Sequence, residues 1–223
     1  MGSTRLPGKV LKPLCGKPML AWIIERLKTM RRAGPIVVAT SDLSEDEPVA
    51  ALAKELGVAV FRGSETDVLD RYYRCALEHG FTTVVRATGD NPFVDPVEGD
   101  RLLELFEKKG LDYASAFPSL GSGLPPGAGL EVMTFAALER SWREGTAPNH
   151  REHVNEFIQE NPAIFKQDVL KAPPEKLGPD VSLTVDTRED FARAERLYAA
   201  YQKRNTGMSP TVSWAIAALK SGS

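Results

Sequence analysis

From Pro18 to Lys109 the chain alternates short apolar runs with amphipathic stretches of helical period, and no other feature restricts its fold so sharply. Leu20, Ile23, Ile24, Leu27 and Met30 recur at helical spacing behind Pro18, with Trp22 on their face or flank and Arg31 and Arg32 before Gly34. Residues 36–40 then read as a buried strand, 46–56 as a helix closed by Gly57, and 58–61 as the next strand. A helix over 67–79, a strand over 83–88 and a helix over 97–109 continue the rhythm. Strands separated by helices of this length predict a mostly parallel sheet covered on both faces.

Beyond Gly110 the rhythm loosens. Strands are expected at 113–117 and 130–135, helices at 136–143 and 150–159, and extended chain at 165–171. The breaker-rich segment 118–129 is expected as a mobile substrate loop or a flexible surface excursion. Residues 183–185 are expected to close the sheet, and helices over 187–203 and 210–219 make the C-terminal part, 187–220. With no repeat and no shift in composition, residues 1–223 read as one domain. Lys and Arg total 28 against 30 Asp and Glu, so no overall basic field recruits nucleic acid. Cys15 and Cys75 lack CxxC spacing and read as buried structural thiols, which fits a reducing cytoplasm. No apolar run reaches the ~18 residues of a membrane span, so no membrane partner is expected.

The chemistry gathers in two kinds of place. The first is Gly2-Ser3-Thr4-Arg5-Leu6-Pro7-Gly8-Lys9, which combines flexible backbone, hydroxyl donors and two cations in one loop suited to a polyphosphate. It is not a Walker A loop, since five residues separate its glycine from Gly-Lys and Val10 follows the lysine. A tag remnant would also begin Met-Gly-Ser, but leaves Arg5 to Lys9 unexplained. The second is the set of strand ends, where open α/β sheets bind ligands: Ser41-Asp42, Arg62-Gly63-Ser64, Gly89-Asp90-Asn91-Pro92 and Asp186-Thr187. Asp90 and Asp186 suit magnesium, a hard ion that takes carboxylate and phosphate oxygens. Taken alone, the two favour local structural roles over a metal site, Asp90 as a turn residue and Asp186 as a helix N-cap. His150-Arg151-Glu152-His153 lacks HExxH spacing and reads as a solvated helix or a dimer contact.

Residues 2–9, followed by Val10-Leu11-Lys12-Pro13-Leu14 and Gly16-Lys17-Pro18-Met19-Leu20, resemble the opening of the cytidylyltransferases that activate acidic sugars such as acylneuraminate and 3-deoxy-manno-octulosonate. Arg86-Ala87-Thr88-Gly89-Asp90-Asn91-Pro92 and Val185-Asp186-Thr187, with Glu189-Asp190, look like that family's two metal-binding aspartate motifs. Arg62-Gly63-Ser64 with 67–73 behind it is most similar to the spore coat polysaccharide biosynthesis protein SpsF group, and the likeness runs from Gly2 to about Tyr201. The resemblance implies a Rossmann-like, GT-A-like nucleotide-diphospho-sugar transferase fold. It also implies transfer of a cytidylyl group from CTP to an acidic or related sugar, in surface polysaccharide or glycan biosynthesis, with Mg2+ on Asp90 and Asp186. Catalysis would rest on Arg5, Lys9 and Asp90, and the nucleotide on Gly2, Ser3, Thr4, Ser41, Arg62, Gly63, Ser64 and Gly89. Arg71, Glu131, Arg151 and His153 would face the acceptor sugar, and a homodimer stays open. Family members carry an apolar strand ending in arginine before the loop, and none precedes Gly2 here, so the expected sheet lacks its first strand. A glycosyltransferase using a nucleotide sugar and an inactive nucleotide-binding scaffold remain as rivals.

Overall fold

The N-terminal loop settles into a turn of 3-10 helix, Lys9–Leu11, and leads to a two-residue-per-arm hairpin, β1 (Pro13–Leu14) with β2 (Lys17–Pro18). The computed structural model describes residues 5–221, so Gly2, Ser3 and Thr4 of the expected phosphate loop lie outside the described residues. Cys15 and Gly16 turn the hairpin at φ 46° and 85°, left-handed values that suit the glycine and strain the cysteine. Helix α1 (Met19–Leu27) follows, and its apolar residues Met19, Leu20, Trp22, Ile23 and Ile24 are all buried. Arg26 on the same helix is buried too, its Nε donating to the Val94 carbonyl at 2.6 Å and its Nη1 to the Pro210 carbonyl at 2.8 Å. That side chain ties the first helix to the C-terminal segment.

The next elements are β3 (Val37–Ser41), α2 (Glu47–Glu55), β4 (Ala59–Gly63), α3 (Val68–Glu78), β5 (Thr83–Arg86) and α4 (Pro96–Lys109). β3 and β4 pair in parallel with Ser41 beside Gly63, so both strands end on the same rim. After α4 come β6 (Tyr113–Ser115), β7 (Glu131–Thr134), α5 (Phe135–Glu144), α6 (Pro148–Glu152), α7 (Glu156–Glu160), β8 (Gln167–Val169), α8 (Arg188–Gln202) and α9 (Val212–Lys220). Helices lie over strands as the alternation predicts, and the second sheet has the order β5-β7-β6-β8.

Four expectations need correction. The sheet is mixed: β6 runs parallel to β8, but β7 is antiparallel to both β5 and β6. The connection from β6 to β7 carries no α-helix and returns the chain at the end where β6 stopped, which yields an antiparallel neighbour. That connection is also packed, with Ser122, Leu124 and Ala128 at most 2% exposed. Its backbone is pinned by Ala172 N–H to the Ser122 carbonyl, Gly178 N–H to that of Gly123 and Leu183 N–H to that of Pro126. Segment 118–129 is therefore a core strap, where a mobile loop was expected. A Cβ on Gly127 would fall 2.5 Å from the Thr184 nitrogen, so its glycine serves close packing against 183–184. Residues 183–185 form no strand, because Leu183 and Val185 bond one at a time to Pro126 and Asp90 and join no ladder. The helix expected over 150–159 is two short helices, parted where Val154 turns fully into the core.

Among the described residues β3 and β5 share no ladder. A cleft of about 590 Å³ lies between them, lined by Ile23, Ile24, Val38, Val68 and Val85, and its polar mouth carries Thr40, Ser41, Thr88 and Gly89. Among the described residues β6 and β7 are paired on both sides, whereas β3 and β5 are each paired on one. Backbone amides paired on one side open at lower cost. Native-state hydrogen exchange should accordingly show the cleft-facing amides of 37–41 and 83–86 exchanging at least tenfold faster than those of 131–134.

Candidate active site

Gly8, at φ 67°, takes the left-handed conformation that starts the turn carrying Lys9. The turn lies against the end of β5, where a Cβ on Gly89 would meet Val10 Cγ1 at 3.2 Å. Immediately after, Thr88 Oγ1 donates to Asp90 Oδ1 at 2.6 Å, and Asn91 Nδ2 donates to Thr88 Oγ1 at 2.7 Å. One Asp90 oxygen is thereby held in a local turn and the other is left to face the rim. The Asp90 carbonyl accepts Val185 N–H at 2.9 Å, and that backbone bond brings the distant Asp186 alongside.

Asp186 is not the cap of the following helix. Thr187 caps α8: its Oγ1 accepts Asp190 N–H at 3.2 Å, while Asp190 Oδ2 accepts the Thr187 and Asp186 amides at 2.9 and 3.1 Å. This capping box satisfies the helix start and frees the Asp186 carboxylate. Lys9 Nζ then donates to Asp186 Oδ1 at 3.0 Å, to Asp90 Oδ2 at 3.5 Å and to the Val185 carbonyl at 2.8 Å. Arg5 Nη2 stands 3.2 Å from Asp186 Oδ1. Two carboxylates and two cations drawn from three separate segments thus meet on one rim, next to a second, open cleft of about 560 Å³ lined by Asp90, Asn91, Pro118, Pro126 and Thr184.

The donor chemistry at this rim suits a hard divalent cation, since Asp90 and Asp186 offer carboxylate oxygens and neither histidine nor thiolate. Among the described residues no cluster of three or more His, Cys, Asp or Glu is placed to hold a metal. A cation here would depend on water and phosphate for its remaining ligands.

The remaining expected residues divide into groups. Ser41 donates its hydroxyl to Asp46 at 2.7 Å, and Arg62 donates to the Ser41 and Leu43 carbonyls and pairs with Glu47, so both fasten the β3–α2 connection at the cleft mouth. Gly63 leaves room for Arg71, whose Cγ would lie 3.2 Å from an added Cβ, and Ser64 Oγ accepts Asp67 N–H at the start of α3. Arg71 lines the cleft and donates to the Ser64 carbonyl at 2.5 Å, while its buried Nε has no hydrogen-bond partner. Arg151 spends its guanidinium on Asp67, at 2.9 and 2.6 Å, and on the Trp142 carbonyl, and so latches α6 to α3. His153 is exposed, 4.0 Å from Glu156. Glu131 is fully buried, paired with Arg86 and accepting the Tyr113 hydroxyl at 2.6 Å.

Sequence reasoning passed over Arg86, Asp46 and the capping role of Asp190. Burial lowers the basicity of Arg86, but the Glu131 carboxylate more than offsets this and holds it charged. A charged residue inside the apolar run Val84-Val85-Arg86 is the signal that could have singled it out. Burial pushes the Cys75 thiol up to about 11, so it stays protonated and structural, and neither cysteine is in a disulfide.

A cationic loop facing two carboxylates, one just past β5 and one just before α8, in an α/β fold suits a nucleotidyltransferase. The chain belongs to the cytidylyltransferase family, whose model matches residues 1–209. The spore coat polysaccharide biosynthesis protein SpsF of Bacillus subtilis is 36% identical over 96% of this chain and 87% of its own length. The 3-deoxy-manno-octulosonate cytidylyltransferase of an Anaeromyxobacter species is 27% identical over 89% of this chain and 93% of its own. A solved cytidylyltransferase from Leptospira borgpetersenii superposes with a TM-score of 0.88 at 29% identity, covering 100% of this chain and 91% of that one. Among the described residues no helix is long and apolar enough to cross a membrane.

The capping box yields a prediction with a definite sign. Burial raises the Asp190 carboxyl, but hydrogen bonds from the Thr187 and Asp186 amides and from Arg193 outweigh it and hold the group below its ordinary value. Its stabilising contribution is therefore present above the unfolded value near ~3.9 and fades as pH falls through the folded one. Asp190→Asn should cost about 1 kcal/mol in neutral urea denaturation. The gap between variant and wild type should narrow below about pH 4.

Proposed function

We propose that the protein transfers a cytidylyl group from CTP to a hydroxyl of an acidic sugar, releasing pyrophosphate in a magnesium-dependent reaction. The observation that carries this reading is the meeting of Arg5 and Lys9 with Asp90 and Asp186 on one rim. Arg5 and Lys9 come from the loop and would lie against the β- and γ-phosphates, where the leaving group gains charge. A nucleotide sugar offers only a diphosphate, so a double cation grip favours a triphosphate substrate.

Transfer forms a bond between the sugar oxygen and the α-phosphorus and breaks the bond from that phosphorus to the oxygen bridging to the β-phosphate. The hydroxyl proton leaves to solvent. Arg5 and Lys9 stabilise the departing pyrophosphate, and Thr88 keeps Asp90 aimed at the rim. A divalent cation held by Asp90 and Asp186 would neutralise triphosphate charge and favour an in-line geometry. The cleft mouth at Thr40, Ser41, Thr88 and Gly89 suits the nucleoside, and backbone atoms there can read the amine and carbonyl of cytosine. The open cleft beside Asp90 and Asn91 suits the acceptor, whereas Arg71 lines the cleft given to the nucleoside. An acidic sugar as acceptor is supported by the named activity of the Anaeromyxobacter relative. A role in surface polysaccharide assembly is supported by the name of the Bacillus subtilis protein.

The test is pyrophosphate release with magnesium, each of the four nucleoside triphosphates and a panel of acidic sugars. CTP with one acidic sugar should give turnover, and turnover with none of these pairs would overturn the reading. Lys9→Ala and Asp90→Asn should each lower kcat/KM by about 10²–10³-fold, the usual loss for one electrostatic stabiliser. Neither should shift the melting temperature by more than a few degrees.

A further inference from the structure

Lys9 is the most enclosed charged group at the rim, with its side chain 11% exposed against 30% for each aspartate and 65% for Arg5. An ammonium has three donors. Those of Lys9 are spent on Asp186 Oδ1, Asp90 Oδ2 and the Val185 carbonyl, which leaves none directed at a phosphate. The two carboxylate oxygens it holds are the ones a hard divalent ion would take, at roughly 2.0–2.1 Å for magnesium. Ammonium and metal cannot occupy that place together, both because they overlap and because like charges at such range repel.

We propose that Lys9 is the resident cation of the Asp90–Asp186 pair in the nucleotide-free protein, and that it yields this place to a divalent ion when a triphosphate arrives to receive its ammonium. The inference rests on the proposed metal-dependent transfer from CTP. Its mechanical requirement is small: Lys9 has a flexible four-carbon stem on the turn started by Gly8, so a change of side-chain rotamer is enough. Arg5 must give way at Asp186 Oδ1 too, but its side chain is 65% exposed and, among the described residues, its ion pair is with Asp186 at the surface, so it turns to solvent or phosphate at little cost. The consequence is thermodynamic coupling. Metal alone must displace a fixed positive charge from its ligands, whereas metal with triphosphate gives that charge a new partner, so each tightens the other's binding. Idle metal binding is suppressed, and the carboxylates are not left facing each other uncompensated between turnovers.

The experiment is titration with Mn2+, followed by the paramagnetic signal of the free ion. It uses wild type, Lys9→Met, Lys9→Gln and the double variant Asp90→Asn/Asp186→Asn, each with and without a CTP analogue carrying a methylene between its α- and β-phosphates. Circular dichroism monitors folding. Wild type should bind Mn2+ weakly alone and at least tenfold more tightly with the analogue. Lys9→Met should bind Mn2+ alone at least tenfold more tightly than wild type, and gain less from the analogue. Lys9→Gln, close in length but uncharged, should behave in the same way and serves if the methionine variant does not fold. The double aspartate variant should lose the site under both conditions. If the Lys9 variants bind Mn2+ alone no more tightly than wild type, while the aspartate variant has lost the site, the displacement is refuted and the metal reading stands. If the aspartate variant binds as wild type does, both fall.

Discussion

Two carboxylates brought to one rim repel unless a cation stands between them, and in this protein the ammonium of Lys9 does so. Much of the surrounding structure arranges that meeting. The backbone bond from Val185 to the Asp90 carbonyl draws the late segment to the end of β5, and the missing side chain of Gly89 lets the early loop close against the same point. Thr88 orients one aspartate. The Thr187–Asp190 capping box relieves the other of any duty at the helix start. Each contact is worth little in isolation, but together they fix a charge arrangement that the chain could not hold by local structure alone.

Support for the rim comes from below and from the side. Beneath the strand ends, Arg86, Glu131, Tyr113 and Gln159 form a buried polar chain, Gln159 donating to the Tyr113 hydroxyl at 2.8 Å. A buried charge that lost its partner there would be costly, so this chain holds β5 and β7 in register as well as filling space. At the flank, Lys176 sits 2.7 Å from Asp95 and 2.9 Å from Glu98, anchoring the segment that leads toward Asp186 onto the first turn of α4. The strap 118–129 does the same from the opposite direction through Pro126. Residues 183–185 need no ladder of their own because these neighbours hold them singly.

The family likeness and the geometry point the same way. The matched family and the SpsF-like relatives place the chain among cytidylyltransferases. The geometry adds which groups meet at the rim. Arg5, Lys9, Asp90 and Asp186 face open space or one another, whereas Arg62, Arg151 and Glu131 are each engaged with protein partners. The transfer proposed for the rim would leave these pairs in place as its frame.

The amino-acid sequence by itself determined the alternation of strand and helix through α4, because burial of one helix stripe and of short β runs is written in residue spacing. It also offered Arg5 and Lys9 as a polyphosphate loop and Asp90 and Asp186 as polar residues at run ends, though only the family resemblance raised the two aspartates above turn and cap roles. What it could not supply was partnership between distant segments. The antiparallel β7, the buried strap and the unladdered 183–185 follow from how distant segments close on one another, which periodicity does not encode. Asp186 as cap or as free carboxylate was undecided in the sequence, because Asp and Thr both cap helices; only the observed bonds to Asp190 gave that role to Thr187. The position of Lys9 between the two aspartates was likewise a decision of the tertiary structure, because only folding brings charges so far apart in the chain within reach of one ammonium.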